Sequence, residues 1–175
     1  VENCWITTNT MLTGGSTEYG GGIAVDGAGA MVTGCTIVAN SARSYFRSYG
    51  GGAYLSAGLI VDCLFSNNWN NSHVAYASSG TAGGGLYMVG GTLRSCTFVT
   101  NTCINGNDCD NGGGAIRMTG GLVELCRFQG NIGNGYVSRP GGGGAIKSTG
   151  GTVRNCLFLD NVVSVGGHGG ALYLV

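Results

Sequence analysis

Six times along the chain a nine-residue phrase returns: an aliphatic residue, two variable positions, Cys, one variable position, Phe or Ile, two variable positions, Asn. Its anchors are Cys4, Cys35, Cys63, Cys96, Cys126 and Cys156, at intervals of 31, 28, 33, 30 and 30 residues. Self-similarity at this period marks a stack of similar units in which each unit touches only its neighbours, so a globule with one closed core is excluded.

One copy shows how a unit is built. Val123 stands three places before Cys126, Phe128 two places after it, and Asn131 closes the phrase. Cys and Phe two apart share one side of an extended strand, so both can face an interior. The aliphatic residue is an odd number of places from Cys, which breaks the alternation and implies a bend joining two strands. Asn9, Asn40, Asn68, Asn101, Asn131 and Asn161 fall where the second strand ends, and their amides suit hydrogen bonding to a turn. The six Cys and six Asn are thereby structural ladders.

A second phrase, Gly-Gly-Ala-Ile-Arg-Met-Thr-Gly-Gly at 113–121, recurs at 143–151 and begins again at Gly169; 50–55 and 83–88 are close variants. Glycine pairs bracketing a short strand fit places where the backbone needs positive φ or where chains approach closely. Each unit then reads as strand, Gly turn, strand, bend, strand, Asn turn and a loop of variable length. The Cys phrase also fits a leucine-rich repeat, but that fold needs a helix or comparable return segment. Here the return segments are rich in Gly, Ser, Asn and Tyr, without helical spacing. The expected fold is all-β: a parallel β-helix of about six coils of ~30 residues, uncapped at both ends, with coils rising by ~4.8 Å each. Residues 1–175 form a single such segment, expected to be an internal part of a longer repeat protein.

Composition supports packing over disorder: 37 Gly and only 9% charged residues accompany 43% hydrophobic residues at regular positions. Formal charge is zero and no basic stripe points to nucleic acid. No apolar run reaches the ~18 residues of a membrane-spanning helix. The ladder cysteines read as buried thiols, with neighbouring disulfides also permitted by the inter-strand spacing. Cys103 and Cys109, in a polar stretch, are a disulfide candidate that fits an extracellular compartment.

The alternating tetrapeptides carry a resemblance. Phe-x-x-Asn stands at 65–68, 98–101, 128–131 and 158–161, and Gly-Gly-Ala-[Ile/Leu] at 113–116, 143–146 and 169–172. They resemble the repeats of chlamydial polymorphic outer-membrane proteins and related bacterial surface proteins with β-helical, autotransporter-like passengers. That resemblance covers the whole chain and implies a right-handed β-helix, a secreted or cell-surface location and, for the chlamydial members, adhesion to host cells.

Chemistry is sparse. Two places before Cys run Glu2, Thr33, Val61, Arg94, Glu124 and Arg154, so stacking sets Glu124 between two Arg: a salt-bridge ladder, or a site for an acidic sugar, but no acid–base pair. Tyr54, Tyr87, Arg117, Lys147 and Tyr173 form a second column, read either as outward strand residues or as a platform for sugar rings. No cofactor is expected, and no metal beyond a weak Ca²⁺ reading of 105–111, where Asn107, Asp108 and Asp110 lack an ordered ligand pattern. Asn70-Asn71-Ser72 is a glycosylation sequon. The loops after each Asn differ most and hold the candidate binding residues Tyr45, Phe46, Tyr49, Trp69, Tyr76 and Tyr136; leaving the coil at one register, they should gather along one side.

The expectation is a non-enzymatic extracellular structural or adhesin-like domain, engaging host or matrix glycan or protein or stacking end to end as a fibre. The alternative is a polysaccharide lyase or hydrolase of β-helix fold, or its carbohydrate-binding segment.

Overall fold

Each turn of the chain is closed by short strands joined at fixed corners, and equivalent strands of successive turns pair in parallel. The computed structural model describes residues 1–13, 17–44, 47–72, 81–105, 112–133, 141–164 and 166–175. It is an all-β parallel solenoid built of five stacked sheets. Following one turn from the Cys, sheet 1 contains Thr36–Val38 and its equivalents, sheet 2 Ser41–Ser44, sheet 3 Arg47–Tyr49, sheet 4 Ala53–Leu55 and sheet 5 Leu59–Val61. Registers hold without slippage, as in Phe65↔Phe98↔Phe128↔Phe158 and Ile60↔Leu93↔Val123↔Val153. Six Cys phrases delimit five closed turns, with a sixth running on to Leu172–Leu174, so the expected count of about six coils is corrected to about five.

The interior is made of columns of like residues. Phe65, Phe98 and Phe128 are fully buried and stack with Phe158 at centroid separations of 4.4, 5.2 and 4.9 Å. Burying one such ring contributes about 1.5–3 kcal/mol of transfer free energy. The aliphatic column Val32, Ile60, Leu93 and Val123 lines sheet 5, and Leu55, Met88 and Met118 face it from sheet 4.

The bend inferred before Cys is a single residue in the left-handed region. At that place stand Asn3, Gly34, Asp62, Ser95, Leu125 and Asn155, with φ between 51 and 61°. A second such corner precedes each Asn, at Thr8, Ala39, Asn67, Thr100, Gly130 and Asp160, with φ between 52 and 60°. A left-handed residue turns the chain sharply while leaving regular strand on both sides, which is why the side-chain alternation restarts at Cys and again at Asn.

The expected Asn turn leading into a loop is corrected. A further strand follows each Asn, making sheet 2, and the Asn side chain points inward. Asn40, Asn68, Asn101 and Asn131 are fully buried. Each accepts, on Oδ1, the backbone N–H and the amide of the Asn one turn below, as at Asn101, which takes Asn68 N at 3.1 Å and Nδ2 at 2.9 Å. Its own Nδ2 donates back to a sheet 1 carbonyl, Asn101 to Phe65 O at 2.9 Å. Buried amides are tolerable here because the column satisfies them.

The glycine pairs have two separate causes. Gly113 has φ of 71°, and its counterparts Gly50, Gly83, Gly143 and Gly169 match it. Gly114 needs no unusual φ; a Cβ there would sit 2.4 Å from Gly144 O and 2.4 Å from the Ile132 carbonyl carbon, where sheets 2 and 4 nearly touch.

Candidate functional site

The chemistry-bearing side chains fall into four groups, each placed by the ladder register. The first is the corner between sheets 3 and 4. Tyr19 pairs with Tyr49, and Tyr54 with Tyr87, followed up the column by Arg117, Lys147 and Tyr173. Tyr49 and Tyr87 stack at 4.4 Å with 29° between ring planes, and Tyr19 and Tyr54 approach to 4.6 Å. Neighbouring tyrosines therefore share much of their ring faces with one another. Burial is the largest cause raising the Tyr49, Tyr54 and Tyr87 phenols above their ordinary value, with neighbouring tyrosines adding to it. Lys147 is buried along its stem, and its ammonium lies 5.5 Å from the Tyr173 ring centroid. Arg117 Nη1 donates to Met118 O at 3.1 Å and Thr149 Oγ1 at 3.3 Å.

The second group is the charge ladder outside sheet 5. Arg154 donates to Glu124 Oε2 from Nε at 2.9 Å and Nη2 at 2.7 Å, while Arg94 Nε stands 3.6 Å from Oε1. Glu124 is nearly buried between them, with a guanidinium on either side of its carboxylate.

The third is the thiol column. Cys35, Cys63, Cys96 and Cys126 are buried, and each Sγ accepts the N–H of the Cys one turn below at 3.4 Å. Each of these thiols donates in turn to the carbonyl two residues before it, at 3.1–3.2 Å. Hydrogen bonds with Cys126 and Cys63, then burial, push Cys96 far up; those with Cys126, then burial, push Cys156 up. Cys63 is lowered chiefly by Cys96, and Cys126 chiefly by Cys156.

The fourth lies on sheet 2. Trp69 is on a strand, half-buried, with the Arg43 guanidinium 5.2 Å from its ring centroid. Tyr49 likewise belongs to a strand of sheet 3, and neither is in a loop. Cys103, expected in a polar loop, is buried in the strand Thr102–Asn105. Asn70 is fully buried and donates to Ser48 O at 2.8 Å and Ala82 O at 3.0 Å, so the sequon is closed to a glycan in the folded chain.

Tyr45, Phe46, Tyr76, Tyr136 and Cys109 lie outside the described residues, as do Asn107, Asp108, Asp110 and Asn111 of the Ca²⁺ reading. Among the described residues no group of three or more His, Cys, Asp or Glu is placed to hold a metal ion, and no helix is long and apolar enough to cross a membrane. The variable segments 14–16, 45–46, 73–80, 106–111 and 134–140 all connect sheet 2 with sheet 3 or sheet 4. No protein-family model, curated protein or solved structure matches the chain.

Proposed function

We propose that this solenoid is a non-enzymatic extracellular structural or adhesin-like repeat domain of a bacterial surface or secreted protein. One observation carries the reading. The residues that repeat are committed to holding turns together, while the segments that vary enter and leave at one register, between sheet 2 and sheets 3 and 4. A rigid scaffold presenting variable segments along one side is the usual arrangement of a recognition surface. The ring edges and hydroxyls of Tyr19, Tyr49, Tyr54 and Tyr87 border that side and would rim a bound glycan or protein.

The purified chain should bind a panel of host-cell surfaces and matrix glycans and proteins, and exchanging segments 73–80 and 134–140 for short Gly-Ser linkers should abolish binding without unfolding the rod. Release of reducing ends from polysaccharides under the same conditions, or binding that survives both exchanges, overturns the proposal.

A further inference from the structure

Outside sheet 5, at the Arg94 end of the charge ladder, the surface is concave. Leu59 and Val61 point outward from the strand whose central Ile60 is buried, and they floor a cavity of about 610 Å³. Gly58 and Gly91, at the turns entering sheet 5, form one wall; a Cβ at Gly58 would meet Ala30 O at 2.4 Å and one at Gly91 would meet Gly58 O at 2.8 Å, so this wall is bare backbone. Asp62 and Ser95, at the left-handed corners leaving sheet 5, form the other, and Arg94 closes one end. The hollow exists because the outward positions carry short or medium side chains until Arg94, whose long side chain leans toward Glu124.

The polar groups of this groove are only partly engaged by the rest of the protein. Arg154 takes the two short bonds to Glu124, and Arg94 approaches it only through Nε at 3.6 Å. The Asp62 carboxylate makes no hydrogen bond or ion pair with the described residues, and its backbone N–H is satisfied by Arg94 O at 3.1 Å. A carboxylate that can accept, a guanidinium that can donate and a hydroxyl that can do both thus line one groove with an apolar floor. The volume lies in the range of small-ligand sites.

We propose that this groove binds a neutral saccharide unit. A pyranose has an apolar face of C–H groups for Leu59 and Val61, and hydroxyl pairs that donate to Asp62 and accept from Arg94. One acidic and one basic group give the groove no net charge, and Asp62 disfavours an acidic sugar. Strong bonds to charged groups give such a site its specificity. The groove lies on a different face from the variable segments and stands independently of the adhesin reading.

The test is a titration of the ¹⁵N-labelled full chain with cellotetraose, mannotetraose and galactotetraose, with trigalacturonate as the acidic comparison. At least one neutral sugar should give saturable shifts of the Gly58, Gly91 and Ser95 amides. Asp62→Asn should weaken that binding about tenfold or more. Asn occupies the same left-handed corner at Asn3 and Asn155, so this variant keeps the fold. Arg94→Gln should weaken it similarly, and Val162→Thr, exposed on sheet 2 in the last turn, should leave it unchanged. The proposal is overturned by an absence of saturable shifts with all three neutral sugars, by tighter binding of trigalacturonate, or by a D62N variant that binds like the parent.

Discussion

Asn101 Oδ1 accepts two hydrogen bonds from Asn68, one from its backbone and one from its side chain, across 33 residues of sequence and one turn of the rod. Replacing Asn101 by Ala removes the acceptor of the Asn68 backbone N–H and of one Asn68 Nδ2 proton, and takes one donor each from Phe65 O and Asn131 Oδ1. A buried polar group left unsatisfied costs about 1–3 kcal/mol. Asn101→Ala should therefore destabilise by about 3 kcal/mol or more in urea unfolding. A change below about 1 kcal/mol would show that water or relaxation fills the gap.

Leu125 holds φ of 56° with its side chain half exposed, at a corner where other turns carry Asn, Gly, Asp or Ser. The left-handed region costs a branched L-residue about 1–2 kcal/mol. Leu125→Asn and Leu125→Gly should each raise the thermal midpoint. A fall for both would mean that Leu125 contributes packing that outweighs the strain.

Two glycines of similar sequence surroundings should behave oppositely. Gly114→Ala drives a Cβ into the Gly144 and Ile132 backbone and should prevent sheets 2 and 4 from closing, seen as lost parallel-β circular dichroism or insoluble chain. At Gly29 a Cβ meets nothing within 4 Å, so Gly29→Ala should leave the unfolding midpoint within about 0.5 kcal/mol of the parent.

The tyrosine corner makes alkaline stability a measurable quantity. Burial raises the Tyr49, Tyr54 and Tyr87 phenols, so the folded state holds those protons more tightly than the unfolded one. The contribution is fully present below the unfolded value near 10 and is lost as pH rises through the folded values. Stability should fall with pH above about 10, and Tyr87→Phe should flatten that fall. Equal slopes for parent and variant would place the titration elsewhere.

The thiol column should be silent to alkylating reagents in the native state. Cys63, Cys96 and Cys126 should add label only in denaturant and without a reductant, with intact mass showing thiols in the described column. Labelling that requires prior reduction would instead show disulfides between turns, which the inter-strand spacing permits.

The ladder was legible in the sequence where residue type and position agree. Phe65 two places after Cys63 has to face the same way on a strand, and the repeat fixes the partner above it. The bend before Cys was legible from the broken alternation, but the left-handed corner before Asn was not, because Thr8, Ala39 and Thr100 are not turn formers by type; stacked neighbours hold their left-handed backbone. Sheet 2 was missed for a related reason. Its inward positions read Ala42, Asn70, Cys103 and Gly133, a mixed set with no apolar alternation, and Asn70 is at home only because Ser48 and Ala82 carbonyls meet it. The groove rests on Asp62 and Arg94, adjacent once the register Val61↔Arg94 is known and 32 residues apart before it. The sequence did reveal Arg94, Glu124 and Arg154 as one column, since their shared offset from Cys is enough.

Because the Phe, Cys and Asn ladders pair each residue with its own equivalent one turn away, a turn of about 30 residues is a unit of inheritance. Recombination between two such stretches of the gene, out of step by one repeat, would delete or duplicate a whole turn and still leave Phe on Phe and Asn on Asn. Length can drift in such a lineage while the cross-section stays the same.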